Sequence, residues 1–220
     1  MIRIAIDGPS GSGKSTLAKA VARHLGIVYV DTGALYRTVG YYVYLKGVDP
    51  HSEEAIASIL PEINIELKYE GNAQRVILNG EDLGDKIRMP EMSMYASLVS
   101  SKPVVRAFLL EMQKKLAREN SVVMDGRDIG TVIIPDADLK IFLTASNETR
   151  AKRRTCELIA KGVDAKYEDV LADMIERDKN DKNRDIAPAV PADDAIIFDN
   201  SEIGVEECVK EIVRLLNERK

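Results

Sequence analysis

Residues 2 to 6 alternate Ile, Arg, Ile, Ala, Ile, the period of a short buried strand, and apolar positions from Lys14 to Leu25 recur at helical spacing (Leu17, Ala18, Val21, Ala22, Leu25) before Gly26 stops them. Residues 27 to 30 predict a second strand, and a helix follows through Leu35, Val39 and Val43 to Gly47. Three later apolar runs, at 121 to 128, 139 to 145 and 195 to 200, read as buried strands, each preceded by a helical segment. Strands alternating with helices predict a parallel sheet covered on both faces by right-handed crossovers.

Two segments break that alternation. Residues 63 to 83 alternate apolar and polar residues around turn signals at Gly71-Asn72 and Asn79-Gly80, which predicts an antiparallel meander inserted into the main fold. Residues 147 to 186 are helical and hold ten basic and ten acidic residues, a neutral, charge-dense helical pair suited to a mobile cover. With no internal repeat and no linker, the chain reads as one domain with two appendages.

Composition narrows the partners. With 220 residues the chain is long enough to bury about 70% of its unfolded surface. A net charge of −5 argues against broad binding to nucleic acid or an acidic membrane, so any anionic ligand must meet locally concentrated positive charge. Cys156 and Cys208 are too few and too isolated for a disulfide framework, and His24 and His51 form no zinc pattern. The N-terminal apolar run is too short for a signal peptide and no stretch approaches the roughly 20 apolar residues of a membrane span. The expectation is a cytoplasmic protein that binds no membrane and no nucleic acid.

The chemistry begins at "GPSGSGKST", residues 8 to 16. Gly8, Gly13, Lys14 and Ser15 satisfy G-x-x-x-x-G-K-[ST] with a strand before and a helix after, the context in which that pattern is a phosphate loop. Glycines let the backbone curl its N–H groups around one cluster of oxygens at the positive end of a helix. Gly8, Pro9, Ser10, Gly11, Ser12, Gly13, Lys14, Ser15 and Thr16 are the ATP-binding candidates. Lys14 reaches the β- and γ-phosphates, and Ser15 ligates Mg²⁺. No Asp is followed by Gly three residues on, and "NDKNRD" lacks the order of a guanine-reading motif, so a nucleotide switch is disfavoured.

Transfer to an acceptor needs further positive charge. Arg150, Arg153 and Arg154 stand at i, i+3 and i+4 of a predicted helix, the candidates for the migrating phosphoryl, or else a solvated face paired with Glu148 and Glu157. Arg177, Asp181 and Arg184 stand at i, i+4 and i+7 of a helix predicted to end at Ile186-Ala187-Pro188; the row suits a phosphate and a sugar hydroxyl, or else a surface salt-bridge ladder. Asp125 ends a buried strand where a second carboxylate meets the Mg²⁺ shell through water, and Arg127 and Asp128 follow in the loop beyond it.

"IDGPSGSGKST", "YVDTGALYR", "YASLVSSKPVVR", "MDGRDIGTVIIPDA", "RDKNDKNRDIAPAVPA" and "FDNS" together resemble bacterial cytidylate (CMP) kinase, in the family's order and across essentially the whole chain. The resemblance implies an α/β P-loop nucleoside-monophosphate kinase fold, in one domain, 1–220. Its core would be residues 1–35, 100–146 and 187–220, with an acceptor-binding region carrying the β insert at 36–99 and a helical lid at 147–186. It implies transfer from ATP·Mg²⁺ to CMP or dCMP by a monomer. By position, Ser97, Arg106 and Asp128 would contact cytosine, Arg177 and Asp181 the ribose, and Arg37, Arg127 and Arg184 the acceptor phosphate. Thr32 would line the acceptor pocket where some members have Ser.

Cytosine suits that set: its N4–H₂ donor meets a carboxylate, and its N3 and O2 acceptors meet Arg or Ser donors. On the residues alone two alternatives stay open. One is another small-molecule P-loop kinase, for a sugar acid or a different nucleotide; the other is a regulatory protein that binds ATP without transferring it. The Arg106 and Asp128 pairing with the row at 177 to 184 stands against the first, and the spare arginines against the second.

Overall fold

A computed structural model of the chain describes residues 1–71 and 73–219, so the turn expected at Gly71-Asn72 includes one residue, Asn72, outside the described set. In chain order the elements are β1 (Arg3–Asp7), α1 (Lys14–Leu25), β2 (Val28–Asp31), α2 (Thr32–Lys46), α3 (Glu53–Ile59), β3 (Ile65–Glu70), β4 (Ala73–Leu78), β5 (Glu81–Asp82), α4 (Pro90–Ser100), α5 (Pro103–Glu119), β6 (Val122–Asp125), β7 (Leu139–Thr144), α6 (Asn147–Ala160), α7 (Tyr167–Asn183), β8 (Ile196–Asp199) and α8 (Val205–Glu218). They fall into two units, Met1–Ile27 with Ser121–Lys220, and Val28–Asn120.

In the first unit β6, β1, β7 and β8 lie side by side in that order, all parallel. Ile4, Ala5 and Ile6 of β1 are fully buried, as continuous apolar runs in a sheet covered on both faces must be. The register sets Ile6 beside Asp125, Asp7 beside Phe142, and Thr144 beside Asp199. The carboxyl ends of all four strands therefore come out along one edge, each followed by a loop rich in polar side chains, the place where open parallel sheets bind ligands. Helix α1 buries Leu17, Ala18, Val21 and Ala22, and α8 buries Cys208, Val209, Ile212 and Leu216.

The turn after β1 is possible only with glycine. Gly8 has φ +146°, and a Cβ there would stand 2.0 Å from the Leu143 carbonyl oxygen on β7. The loop is thus pressed onto the sheet before it curls into α1.

In the second unit α2 packs on α4 at Gly40, where a Cβ would meet Tyr95 Cβ at 2.9 Å, so the absence of a side chain lets the two helices approach. Leu35, Val39, Val43, Ile56, Met92, Val99, Val105 and Leu109 fill the core of this unit, joined by Ile65, Val76 and Leu78 from the antiparallel sheet β3-β4-β5. That sheet is the expected meander, and its second turn has φ 50° at Asn79 and 86° at Gly80, the left-handed pair that suits a tight hairpin.

One boundary differs from expectation. Helix α7 ends at Asn183, not near Pro188, and Arg184 is extended at φ −68°, ψ 144°. The Asp181 carbonyl accepts from the Ala189 N–H at 2.8 Å, a loop closing back on the helix end, and Arg184 Nε donates to the Ala187 carbonyl at 2.6 Å. Arg184 is therefore not the third member of a helical row, although its guanidinium stays close to Asp181.

Candidate active site

The phosphate loop is held from outside by the elements that follow it. Arg150 of α6 donates to the Ser10 carbonyl at 2.6 Å, and Asn200, just past β8, donates through Nδ2 to the Ser12 carbonyl at 2.9 Å. Arg153 in turn donates to Asn200 Oδ1 at 3.1 Å and to its carbonyl at 2.9 Å. In a planar trans peptide the N–H points opposite to the C=O. With the Ser10 and Ser12 carbonyls turned toward Arg150 and Asn200, the N–H groups of Gly11 and Gly13 point to the other side, as an anion cradle requires.

Lys14 opens α1 behind the left-handed N-cap Gly13 and is buried; its ammonium donates to the Pro9 carbonyl at 2.6 Å. Burial first, then the neighbouring Arg127 guanidinium, hold the Lys14 ammonium well below its usual range, against the opposing pull of Asp125. A dianionic phosphate would relieve that strain in charge. One residue on, the Ser15 hydroxyl donates to Asp125 Oδ2 at 2.8 Å, bringing a hydroxyl and a carboxylate from two elements together.

Beyond β6, Arg127 Nε donates to Asp181 Oδ2 at 3.0 Å, and Arg184 lies 3.8 Å from Asp128 and 3.9 Å from Asp181. All four side chains are largely buried. Burial pushes the Asp181 carboxyl up, but Arg127, Arg177 and Arg184 together bring it below the ordinary carboxylate value, so it is ionised at neutral pH. Asp128 precedes a single π-helical turn, Ile129–Ile133, whose first N–H groups are held by Asp7: Ile129 N–H to Oδ1 at 2.8 Å and Gly130 N–H to Oδ2 at 2.7 Å.

Asp7 carries a pH signature. Its carboxyl is pushed up from 3.8 to about 6, chiefly by burial, with Asp128 adding to the rise while the Gly130 and Ile129 N–H groups and Lys14 oppose it. The folded state thus holds this proton more tightly than the unfolded chain. Its stabilising contribution is complete below about pH 4 and is lost as pH rises through about 6, a swing on the order of 1–3 kcal/mol. Asp7→Asn cannot titrate, so the parent should lose stability relative to the variant by that amount between pH 4 and pH 7 in urea denaturation; a constant difference would contradict the assignment.

In the second unit Asp31 caps α2, accepting from the Ala34 N–H at 2.9 Å, and pairs with Arg37 at 2.8 Å. Burial pushes the Asp31 carboxyl up, but Arg37, the Ala34 N–H and Arg88 together outweigh it and hold the group below its usual value. Arg37 Nε is buried with no hydrogen-bond partner among the described residues, a donor left for something else. Gln74 of β4 accepts from the Asp31 N–H at 2.8 Å and donates to its carbonyl at 3.3 Å, tying the meander to this N-cap. Thr32 is buried beside it. Arg106 of α5 is buried, donates to the Ser100 carbonyl at 3.2 Å and lies over the Tyr36 ring at 5.5 Å; Ser97 sits half-buried on α4.

The three arginines of α6 do not form one cluster. Arg150 is 4% exposed and its donors go to Ala145, Ser10, Asn147 and Asp178, whereas Arg154 pairs with the exposed Glu157 at 2.8 Å. Sequence reasoning missed Asp7, Asp31, Gln74, Asp178 and Asn200. Asp178 stands next to Arg177 within the charged run, and Asn200 lies in "FDNS", so each sits inside a motif whose other members carry the recognisable pattern.

The chain matches the cytidylate kinase family model over residues 4–218. It is 51% identical to a cytidylate kinase of Fervidobacterium nodosum over 99% of this chain and 97% of that one, and 48% identical to a cytidylate kinase of Caldicellulosiruptor bescii over 97% and 95%. A shikimate kinase of Bacteroides thetaiotaomicron, 16% identical and aligned over 98% of both chains with a TM-score of 0.50, shares the fold alone. Motif order, strand-edge chemistry and a match along nearly its whole length agree: this chain belongs to the cytidylate kinase family.

Proposed function

We propose that the chain transfers the γ-phosphoryl group of ATP to CMP, and also to dCMP, with the donor on residues 8 to 16 and the acceptor read by the charged cluster beyond β6. Membership of the family supports the reaction. The observation that carries the assignment of roles is the cluster of Arg127, Asp128, Asp181 and Arg184 at the same strand edge as the phosphate loop. It offers guanidiniums for a phosphate and carboxylate oxygens for hydroxyl or amino donors.

In this reading Asp128 accepts from the cytosine amino group, with Ser97 and Arg106 donating to its other polar atoms. Arg177 and Asp181 take the ribose, and Arg37, Arg127 and Arg184 the acceptor phosphate, with Thr32 nearby. The donor set of Ser15 and Asp125 is all oxygen and small in number, which fits Mg²⁺, an ion that keeps waters and substrate phosphates as its remaining ligands. Bound there, Mg²⁺ would neutralise charge on the phosphates. Lys14 supplies positive charge to the transferring group, and no side chain need act as a base, because the attacking atom is already a phosphate oxygen. Of the lid arginines, Arg154 is the cheapest to turn toward that group, since an exposed pair such as Arg154–Glu157 is worth little. Arg150 and Arg153 act through the loop they support.

Ligand-induced stabilisation tests the acceptor assignment. CMP and dCMP, at a concentration about a hundredfold above their dissociation constants, should stabilise the fold by about 2.7 kcal/mol. UMP at the same concentration should give much less, and equal stabilisation by UMP or by a sugar acid would contradict the reading.

A further inference from the structure

Helix α7 bears two acidic side chains that do different things. Asp181 faces Arg127 and Arg184, but Asp178, nearly one turn earlier, reaches the phosphate loop itself. Its Oδ1 accepts from the Ser10 N–H at 3.0 Å, and its Oδ2 accepts from Arg150 at 2.5 Å, while the same Arg150 nitrogen donates to the Ser10 carbonyl at 2.6 Å. Both ends of one loop residue are thus held by one ion pair. The tip beyond it is in contact with the same two helices: a Cβ on Gly11 would meet Met174 Cε of α7 at 2.6 Å and Arg150 Cβ of α6 at 3.4 Å.

We propose that Asp178 is a positioning residue for the donor site, fixing the Ser10 peptide directly and through Arg150 so that the loop's N–H groups are aimed before ATP arrives. Arg150 is anchored independently, by Nε to the Ala145 carbonyl and by its other terminal nitrogen to Asn147 Oδ1. Loss of Asp178 therefore leaves the Ser10 carbonyl bonded and releases the other side of that residue, its N–H. A partly buried donor without its acceptor favours loop conformations that find another partner, and those conformations do not present the Gly11 N–H to phosphate. The effect falls on ATP, not on the acceptor, although Asp178 shares its helix with Arg177 and Asp181. The inference rests on the reading of residues 8 to 16 as the ATP site.

The test compares the parent chain with Asp178→Ala and Asp178→Asn. Titration calorimetry with ATP·Mg²⁺ and no acceptor gives the donor affinity, and steady-state assays give KM for ATP and for CMP separately. Asp178→Ala should weaken ATP binding roughly tenfold and raise its KM in step, with KM for CMP within about twofold. Asp178→Asn should fall between, because its amide oxygen still accepts from Ser10 but brings no charge to Arg150; it also serves if the alanine variant does not fold. A merely structural role would lower the active fraction and hence kcat while leaving both KM values alone, and that result, or a rise confined to CMP, would overturn the proposal. A parent that binds ATP in the titration but does not phosphorylate CMP would refute the acceptor assignment without touching this one.

Discussion

Lys14→Met should lower kcat for phosphoryl transfer by about a thousandfold, the scale on which removing one preorganised positive group at a transition state is felt, and should do so without weakening the unliganded fold. The two halves have one cause. Lys14 is buried, and burial together with Arg127 holds its ammonium well below the usual lysine range. A base whose folded pKa is depressed destabilises the fold below that pKa, where it carries charge, so at pH 7 the side chain is retained at a cost to stability. Methionine fills similar volume without charge and should leave the fold equally stable or about 1 kcal/mol more so. Turnover by coupled assay and unfolding in urea read the two halves separately. Near-parent turnover would remove Lys14 from the chemistry, and a large loss of stability would make it a structural residue.

Asp128→Ala should cost the chain its choice of base more than its hold on ATP. The carboxylate is buried between the strand edge and the π-turn, 3.8 Å from Arg184. In the proposed role it accepts from the N4 donor of cytosine, and uracil would set an O4 acceptor against it. A buried polar group so mismatched costs about 1–3 kcal/mol, and the preference for CMP over UMP in kcat/KM should fall by about tenfold to a hundredfold, with KM for ATP within about twofold. Asp128→Asn sharpens the test, because an amide can donate to O4 and should raise UMP turnover. Equal losses for CMP and UMP in both variants would mean that Asp128 supports the turn and does not read the base.

The parts of the fold that were legible are those written in local periodicity. The strand, loop and helix from Arg3 to Leu25 follow from an alternating run, a glycine pattern and a 3.6-residue repeat, and the hairpin at Asn79-Gly80 follows from the one pair of residues that accepts two positive φ angles cheaply. The helix end at Asn183 was not, because Pro188 forbids helix only near itself. What stops the helix earlier is a tertiary closure between the Asp181 carbonyl and the Ala189 N–H.

The arginines make the same point at the site. Spacing put Arg150, Arg153 and Arg154 on one helix, as α6 has them, but not against their partners. The Ser10 carbonyl is 140 residues from Arg150 and Asn200 is 47 from Arg153, separations that carry no periodic signal. Asp7 and Asp178 escaped for a related reason. A carboxylate that bonds backbone N–H groups looks, in sequence, like any other acidic residue, and only the loop it meets reveals its work.

The measurement that bears most directly on the central claim is ADP formation from ATP·Mg²⁺ with CMP, dCMP, UMP, AMP and GMP offered separately at equal concentration, beside a control without acceptor. The account predicts strong turnover with CMP and dCMP, little with UMP, and near-background release with the purine nucleotides and with no acceptor. Turnover that ignores the acceptor, or that appears only with another nucleotide, would contradict it.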